Sequence, residues 1–340
     1  MMSKRTIVID AMGGDYAPQA PVEGALLCLE KYPDLSIVLT GKEDAINKIL
    51  SGKTYDKERL TIVNTTEVVE NEEKSPVQAI RTKKDSSLVV GLRMVKDKKA
   101  DGMISAGNTG SVMAGATFLV GRIKGVFRPA LSVELPTGKN PTLVLDLGAN
   151  MDCKPQYLVQ FAQMASIYYH KLHGIENPTV ALLNVGVEPT KGNQLAKEAY
   201  QALSECKTIN FKGNAEAREI FEGNYNIVVT DGFAGNVMLK TTEGVASYIF
   251  TSLKKEIKSS FAAKLGALLM LKSLKKMKNS LDPRRVGGSA LLGINGAVIK
   301  AHGNSRQDSF VSAMDQCLTF INNQVIGDIS DALEKEETNE

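Results

Sequence analysis

Short apolar runs alternate with amphipathic stretches along nearly the whole chain. Residues 6–9, 36–40, 60–63, 102–104, 131–135, 142–145, 178–183, 209–211 and 227–230 read as strands. Helical spacing marks 21–30, 43–50, 75–81, 88–95, 112–120, 155–173, 191–203, 215–221 and 237–264, and 310–326 reads as the last helix. Strands alternating with helices of this length predict βαβ units, and so an α/β protein with a parallel sheet. Residues 287–305 break the pattern: two apolar segments joined by a Gly/Asn turn predict a hairpin. The residues after Asp331 are acidic and are expected to fray.

In parallel sheets, ligands bind beyond the carboxyl ends of strands. The polar tips there are the candidate chemistry. Ser105, Gly107, Asn108, Thr109 and Ser111 fall between a buried strand and a helix of small residues. Unpaired N–H groups and the helix dipole favour an anion at such a start, and glycine lets it approach the backbone. One such tip alone is more often a plain turn with Asn108 or Thr109 as cap. Here the arrangement repeats: Asp10, Gly13, Gly14 and Asp15; Asp146 and Asn150; Asn184 to Asn193; Asp231, Gly235 and Asn236. Lys191 opens the predicted helix 191–203, where a lysine opposes the dipole unless it meets an anion. Lys240 falls in the first turns of the long helix, and Lys300, His302 and Ser305 end the hairpin. If all strands share one sheet, the tip aspartates and asparagines converge on one edge. Arg81, Lys83 and Lys84 beside Ser86 and Ser87 are a further phosphate candidate, explained equally well as a solvated helix end.

Composition narrows the class. With 43% apolar and 23% charged residues in 340, the chain reads as a soluble globular protein. Four scattered cysteines form no CxxC or Cys/His cluster, which points to a reduced compartment and no metal site. No signal-peptide pattern precedes the first strand, and the longest strongly apolar run, 265–271, is far short of a membrane span. The P-loop, HExxH and GxSxG patterns are absent. What is left is an anion-holding set without an enzyme nucleophile, suited to a substrate that brings its own.

Charge is small overall and uneven. Residues 254–285 hold ten basic and two acidic residues, a local net of +8 in a chain of +3, so the remainder carries −5. Leu253, Ile257, Phe261 and Leu268 share one helical face, Gly266 is expected to bend the helix, and Ala267, Met270, Leu271, Leu274 and Met277 lie opposite Lys272, Lys275 and Lys276. A solvated lysine face is the commonplace explanation. A basic amphipathic helix also suits an acidic partner: nucleic acid, anionic lipid or an acidic carrier protein.

Taken together, 9–15, 105–111, 146–150, 184–193, 231–236 and 287–305 resemble the PlsX family, the acyl-carrier-protein-dependent phosphate acyltransferases of bacterial phospholipid synthesis. The resemblance runs from about residue 5 to 327, in the family's order. It implies a three-layer α/β/α fold like the isocitrate and isopropylmalate dehydrogenases and phosphotransacetylases, working as a homodimer. It implies transfer of an acyl group from acyl carrier protein to inorganic phosphate, giving acyl phosphate for a membrane glycerol-3-phosphate acyltransferase, with no cofactor, metal or nucleic acid. One catalytic domain, 1–335, is expected, with 245–285 a protruding basic helical segment and 336–340 a frayed tail. Location is expected to be cytoplasmic, peripherally at the inner face of the plasma membrane.

The chemistry assigns roles by residue type. Phosphate is already a nucleophile and a thiolate leaves readily, so positioning and oxyanion stabilisation suffice. Asn108, Thr109 and Lys191 are expected to hold phosphate. Asn236, Lys300 and His302 are expected to donate to the thioester oxygen or leaving sulfur, with Asp10, Asp15 and Asp231 orienting them. Gly13, Gly14, Ser105, Gly107, Asn150 and Gly235 complete the expected binding set. The alternative is a phosphotransacetylase-like enzyme using coenzyme A thioesters. A dehydrogenase would need clustered metal-binding aspartates and an adenine site, and a lipid-surface protein would leave the polar tips unexplained.

Overall fold

In β1 (Arg5–Asp10), Ile7 and Ile9 face one side of the sheet and Val8 the other, and all three are fully buried. A strand apolar on both faces needs a helical layer on each side. The computed structural model, which describes residues 4–138, 140–280 and 288–337, supplies both layers. One carries α1 (Gln19–Lys31), α6 (Pro155–His173) and α11 (Gln307–Asn322). The other carries α4 (Ser87–Lys96), α5 (Thr109–Gly115), which continues as a π-turn over Ala116–Val120, and α8 (Gly232–Ser259).

Between the layers runs one sheet of eleven strands among the described residues. After β1 come β2 (Leu35–Gly41), β3 (Leu60–Asn64), β4 (Gly102–Ser105), β5 (Ala130–Leu135), β6 (Thr142–Leu145), β7 (Thr179–Asn184), β8 (Asn210–Glu216), β9 (Ile227–Val229), β10 (Ser289–Leu292) and β11 (Ala297–Lys300). Their spatial order is β3-β2-β1-β4-β11-β10-β5-β6-β9-β7-β8. The flanks are parallel, but β11–β10, β10–β5 and β5–β6 are antiparallel. Strand sense therefore reverses across the middle. The carboxyl ends of β1, β4 and β11 leave one edge, and those of β6, β7 and β9 leave the other. The expected convergence of every tip on a single edge fails for this reason: the predicted hairpin 287–305 inserts at the centre of the sheet, its first residue, Gly287, lying outside the described residues.

Helix boundaries shift where side chains cap them. The helix expected from Lys191 starts at Gln194 as α7 (Gln194–Glu205), with Asn193 Oδ1 accepting from Ala196 N at 2.9 Å. The long helix expected to bend at Gly266 instead ends at Ser259. Ser260 Oγ accepts from Ala263 N at 3.1 Å and starts α9 (Phe261–Leu269), which contains Gly266 and leads to α10 (Leu271–Ser280). The last expected helix is two, α11 and α12 (Val325–Glu337), divided at Gln324, whose φ is +54°. The residues after Asp331 are thus helical up to Glu337.

Beyond Met238, α8 buries no side chain, and α9 buries none. Phe261 and Leu269 are more than 80% exposed, so α8–α10 leave the body as an arm carrying uncovered apolar residues. Residues 281–285 of the expected basic segment, and the side chains of Lys275 and Lys276, lie outside the described residues. No described helix is long and apolar enough to cross a membrane.

Helices α1 and α11 pack closely. A Cβ on Gly24 would fall 2.5 Å from that of Phe310, which is fully buried. Phe310→Ala should therefore cost about 3–5 kcal/mol in urea unfolding, as large core truncations do; a loss under about 1 kcal/mol would contradict this packing.

Candidate active site

The tips of β1 and β4 interlock. Ser105 Oγ donates to Asp10 Oδ2 at 2.7 Å and accepts from Gly107 N at 3.1 Å, while Met12 N donates to Asp10 Oδ1 at 3.1 Å. Burial pushes the Asp10 carboxyl above its ordinary value, and hydrogen bonds from Ser87, Ser105, Met12 and Gly13 draw it part of the way back. Gly13 has no room for a side chain, since a Cβ would lie 2.6 Å from Asp10 Oδ2 and 2.7 Å from Gly107 N. These groups brace each other rather than face solvent.

Asn71, in the loop before α3 (Pro76–Thr82), ties the β1 and β4 tips together. Its Oδ1 accepts from Gly14 N at 3.2 Å, its Nδ2 donates to Asp15 Oδ1 at 3.2 Å, and its carbonyl accepts from Asn108 Nδ2 at 2.9 Å. Asp15 N in turn donates to Gly303 O at 2.8 Å. Asn108 Oδ1 caps α5 by accepting from Ser111 N at 2.9 Å, so its whole amide is committed to structure. Thr109 and Gly110, one step on, are exposed at the helix start.

A cavity of about 400 Å³ opens there. Thr109, Gly110, Lys300, His302 and Gly303 line one side, and Gly148, Asn236, Lys240 and Glu243 line another. Lys300 is only 7% exposed, and its Nζ donates to Ala106 O at 3.5 Å and to Ala301 O. Burial lowers its pKa to about 8, with Lys240 adding to the shift and Asp15 and Asp10 opposing it. Glu243 Oε1 lies 3.2 Å from His302 Nε2, and Glu243 Oε2 accepts from Lys240 Nζ at 2.8 Å. Burial pushes the Glu243 carboxyl up, but hydrogen bonds from His302 and Lys240 outweigh it and hold the group at about 2.

Of the residues expected at the site, the structure brings Thr109, Asn236, Lys300 and His302 to the cavity wall, with Asp10, Gly13, Gly14, Asp15, Ser105, Gly107 and Asn108 bracing one side. Others it places elsewhere. Asp231 caps α8, Oδ1 accepting from Ala234 N at 2.8 Å. Asn150 spends its Nδ2 on Pro129 O and Asp146 Oδ2, each at 2.8 Å. Gly235 is a close-approach position, because a Cβ there would fall 2.0 Å from Asp146 O. Lys191 is exposed in the loop ahead of α7 and does not line the cavity. The strand reversal carries the β7 tip to the far edge, and since the helix starts three residues later, Lys191 opposes no dipole. The group around Ser86 does not converge either: Ser86 Oγ accepts from Val89 N at 3.4 Å as a cap, and Lys83 Nζ donates to Val68 O at 2.9 Å. Lys240, Glu243 and Asn71 went unassigned as site residues from sequence. The spacing of Asn236, Lys240 and Glu243 on one helical face was the available signal for the first two; Asn71 had none.

Comparison with known proteins gives a consistent result. The family described as "Fatty acid synthesis protein" matches residues 5–327. A phosphate acyltransferase of Clostridium tetani is 48% identical over 332 residues, 98% of this chain and 99% of that one. Among solved structures, a phosphotransacetylase from Streptococcus pyogenes superposes with a TM-score of 0.60 at 16% identity, covering 95% of this chain and 94% of that one. The EutD phosphotransacetylase from Staphylococcus aureus gives 0.55 at 16%, covering 95% and 96%. The three-layer α/β/α arrangement holds, but the expected likeness to isocitrate and isopropylmalate dehydrogenases is corrected: the fold is that of the phosphotransacetylases.

The Glu243 carboxylate is held at about 2 against an ordinary 4.5. A depressed carboxylate contributes stability above the ordinary value and loses it as pH falls toward the depressed one. Thermal unfolding should therefore show an acid loss between pH about 4.5 and 2 that Glu243→Gln reduces; an identical acid limb in the variant would contradict the pairing.

Proposed function

The chain belongs to the phosphate acyltransferase family and is an acyltransferase of phospholipid synthesis, and from that premise we propose that the cavity between α5, β11 and α8 is where inorganic phosphate attacks the thioester of an acyl carrier protein. The observation that carries this reading is Lys300: a nearly buried ammonium beside the exposed start of α5, with His302 and Asn236 on the same cavity. A buried cation whose hydrogen-bonded partners among the described residues are two carbonyls is short of negative charge. A phosphate dianion at Thr109 and Gly110 supplies it.

The reaction needs no protein nucleophile. A phosphate oxygen attacks the thioester carbonyl carbon, the carbonyl oxygen gains charge, and the carbon–sulfur bond breaks to release the thiolate. The proton lost by hydrogen phosphate is the one the thiolate takes up. Asn236 supports the oxyanion by donating from its side-chain amide, and His302 relays the proton. Glu243 fixes the imidazole by its contact at Nε2.

The arm gives the finer partners. Its lysines suit the acidic carrier protein and an anionic lipid surface, which supports a reading in which the enzyme works at the inner face of the plasma membrane and hands acyl phosphate to a membrane glycerol-3-phosphate acyltransferase. Val245, Tyr248 and Ile249, each at least half exposed on α8, favour a homodimer that covers them.

Three measurements test this. Phosphate-dependent release of free carrier protein should fall about 10²–10³-fold in Lys300→Met. In the parent enzyme kcat/KM for phosphate should decline above pH about 8 as the ammonium is lost. Lys300→Arg keeps its charge and should lack that decline; an unchanged profile would assign it elsewhere. For the arm, Lys264→Gln with Lys272→Gln should weaken pelleting on phosphatidylglycerol vesicles by about 2 kcal/mol, roughly thirtyfold. Unaltered pelleting would remove the lipid role.

A further inference from the structure

The cavity has two chemically different halves. Its charged groups gather at the end of β11, where Lys240 and Glu243 of α8 meet His302 beside Lys300. Across from them, Leu131, Val133 and Leu135 alternate along β5 and so share the one face that lines the cavity. Leu239 and Ala246 oppose them from α8. Phe221 closes the far end. Its carbonyl accepts from Gly138 N at 3.2 Å in the turn between β5 and β6, while Ile220 O accepts from Thr142 Oγ1 at 3.5 Å at the start of β6. From β11 to β6 is three strand spacings, about 14 Å.

We propose that this apolar half takes the acyl chain of the thioester substrate, and that Phe221 sets how long a chain the enzyme accepts. The inference rests on reading the polar half as the site where phosphate meets the thioester. A carbonyl held near Lys300 and His302 has the apolar slot directly beside it, continuous with the same cavity. A hydrocarbon laid along β5 leaves water for side chains that offer no hydrogen bonds, worth about 25 cal/mol for each Å² covered. The polar side chains of α8 that share the cavity are engaged elsewhere, Lys240 and Glu243 with each other and with His302, and Thr242 Oγ1 as donor to Met238 O at 2.9 Å. Phe221, half-buried at the end remote from Lys300, is the side chain a lengthening chain meets.

The test uses the full-length enzyme and carrier-protein thioesters of saturated chains from octanoyl to stearoyl, with acyl phosphate formation as the readout. Phe221→Ala should raise the ratio of kcat/KM for long over short chains by about tenfold or more, and Ala246→Phe, which narrows the slot without deleting any packing, should lower it by a similar factor. The KM for phosphate should stay the same in both. A ratio that moves less than about twofold in Ala246→Phe overturns the proposal, whether or not Phe221→Ala folds. A parent enzyme that forms no acyl phosphate from any chain would instead overturn the reading of the polar half; normal parent activity with flat ratios in the variants overturns only the slot.

Discussion

Three antiparallel pairings at the centre of an otherwise parallel sheet govern the rest of the molecule. Because β10 and β5 separate two parallel flanks of opposite sense, neither flank can present all its loops on one edge. The chain compensates with α8, which starts beside the β6 tip and crosses back over the face of β5. Asn236 rests against Gly148 at its root, and Lys240 and Glu243 reach His302 at the end of β11. The cavity is therefore floored by the seam itself, and its walls come from flanks that the seam would otherwise keep apart.

Electrostatics at that seam is arranged around two cations with unequal support. Lys240 has a carboxylate in contact and a half-exposed side chain. Among the described residues Lys300 has neither, but backbone carbonyls and more distant aspartates, and its proton is correspondingly loose. Asp10, one of the two aspartates that act on it, is buried and hydrogen-bonded into its own loop, and its burial disfavours the ionised form. A site in this condition gains from an incoming anion without any rearrangement of side chains.

Much of this was readable from residue order because it is local. Every expected strand is present, since apolar runs bounded by turn residues need no tertiary information, and the hairpin 287–305 was visible for the same reason. Its neighbours were not: which strands flank β10 and β11 depends on pairing across more than a hundred and fifty residues, as with Ala290 against Ser132. That one unseen choice leaves Asp231, Asn150 and Lys191 off the cavity wall, although each follows a strand's end as expected. Caps account for smaller misses. Asn193 and Ser260 moved helix starts by a few residues, enough to reverse the dipole argument at Lys191. Glu243 in an amphipathic helix looks like any solvated acid until His302 arrives from sixty residues away.

The helix that forms the cavity wall is also the root of the arm, and nothing interrupts it between Asn236 and Ser259. Its 28 residues make a rod about 42 Å long. A rod without a joint is a lever: tilting it by about 5° at the root would sweep its outer end through roughly 4 Å, and a push on that end returns to Asn236 and Glu243 with the same gearing. Contact made far outside the body and geometry deep within it are thus parts of one mechanical element.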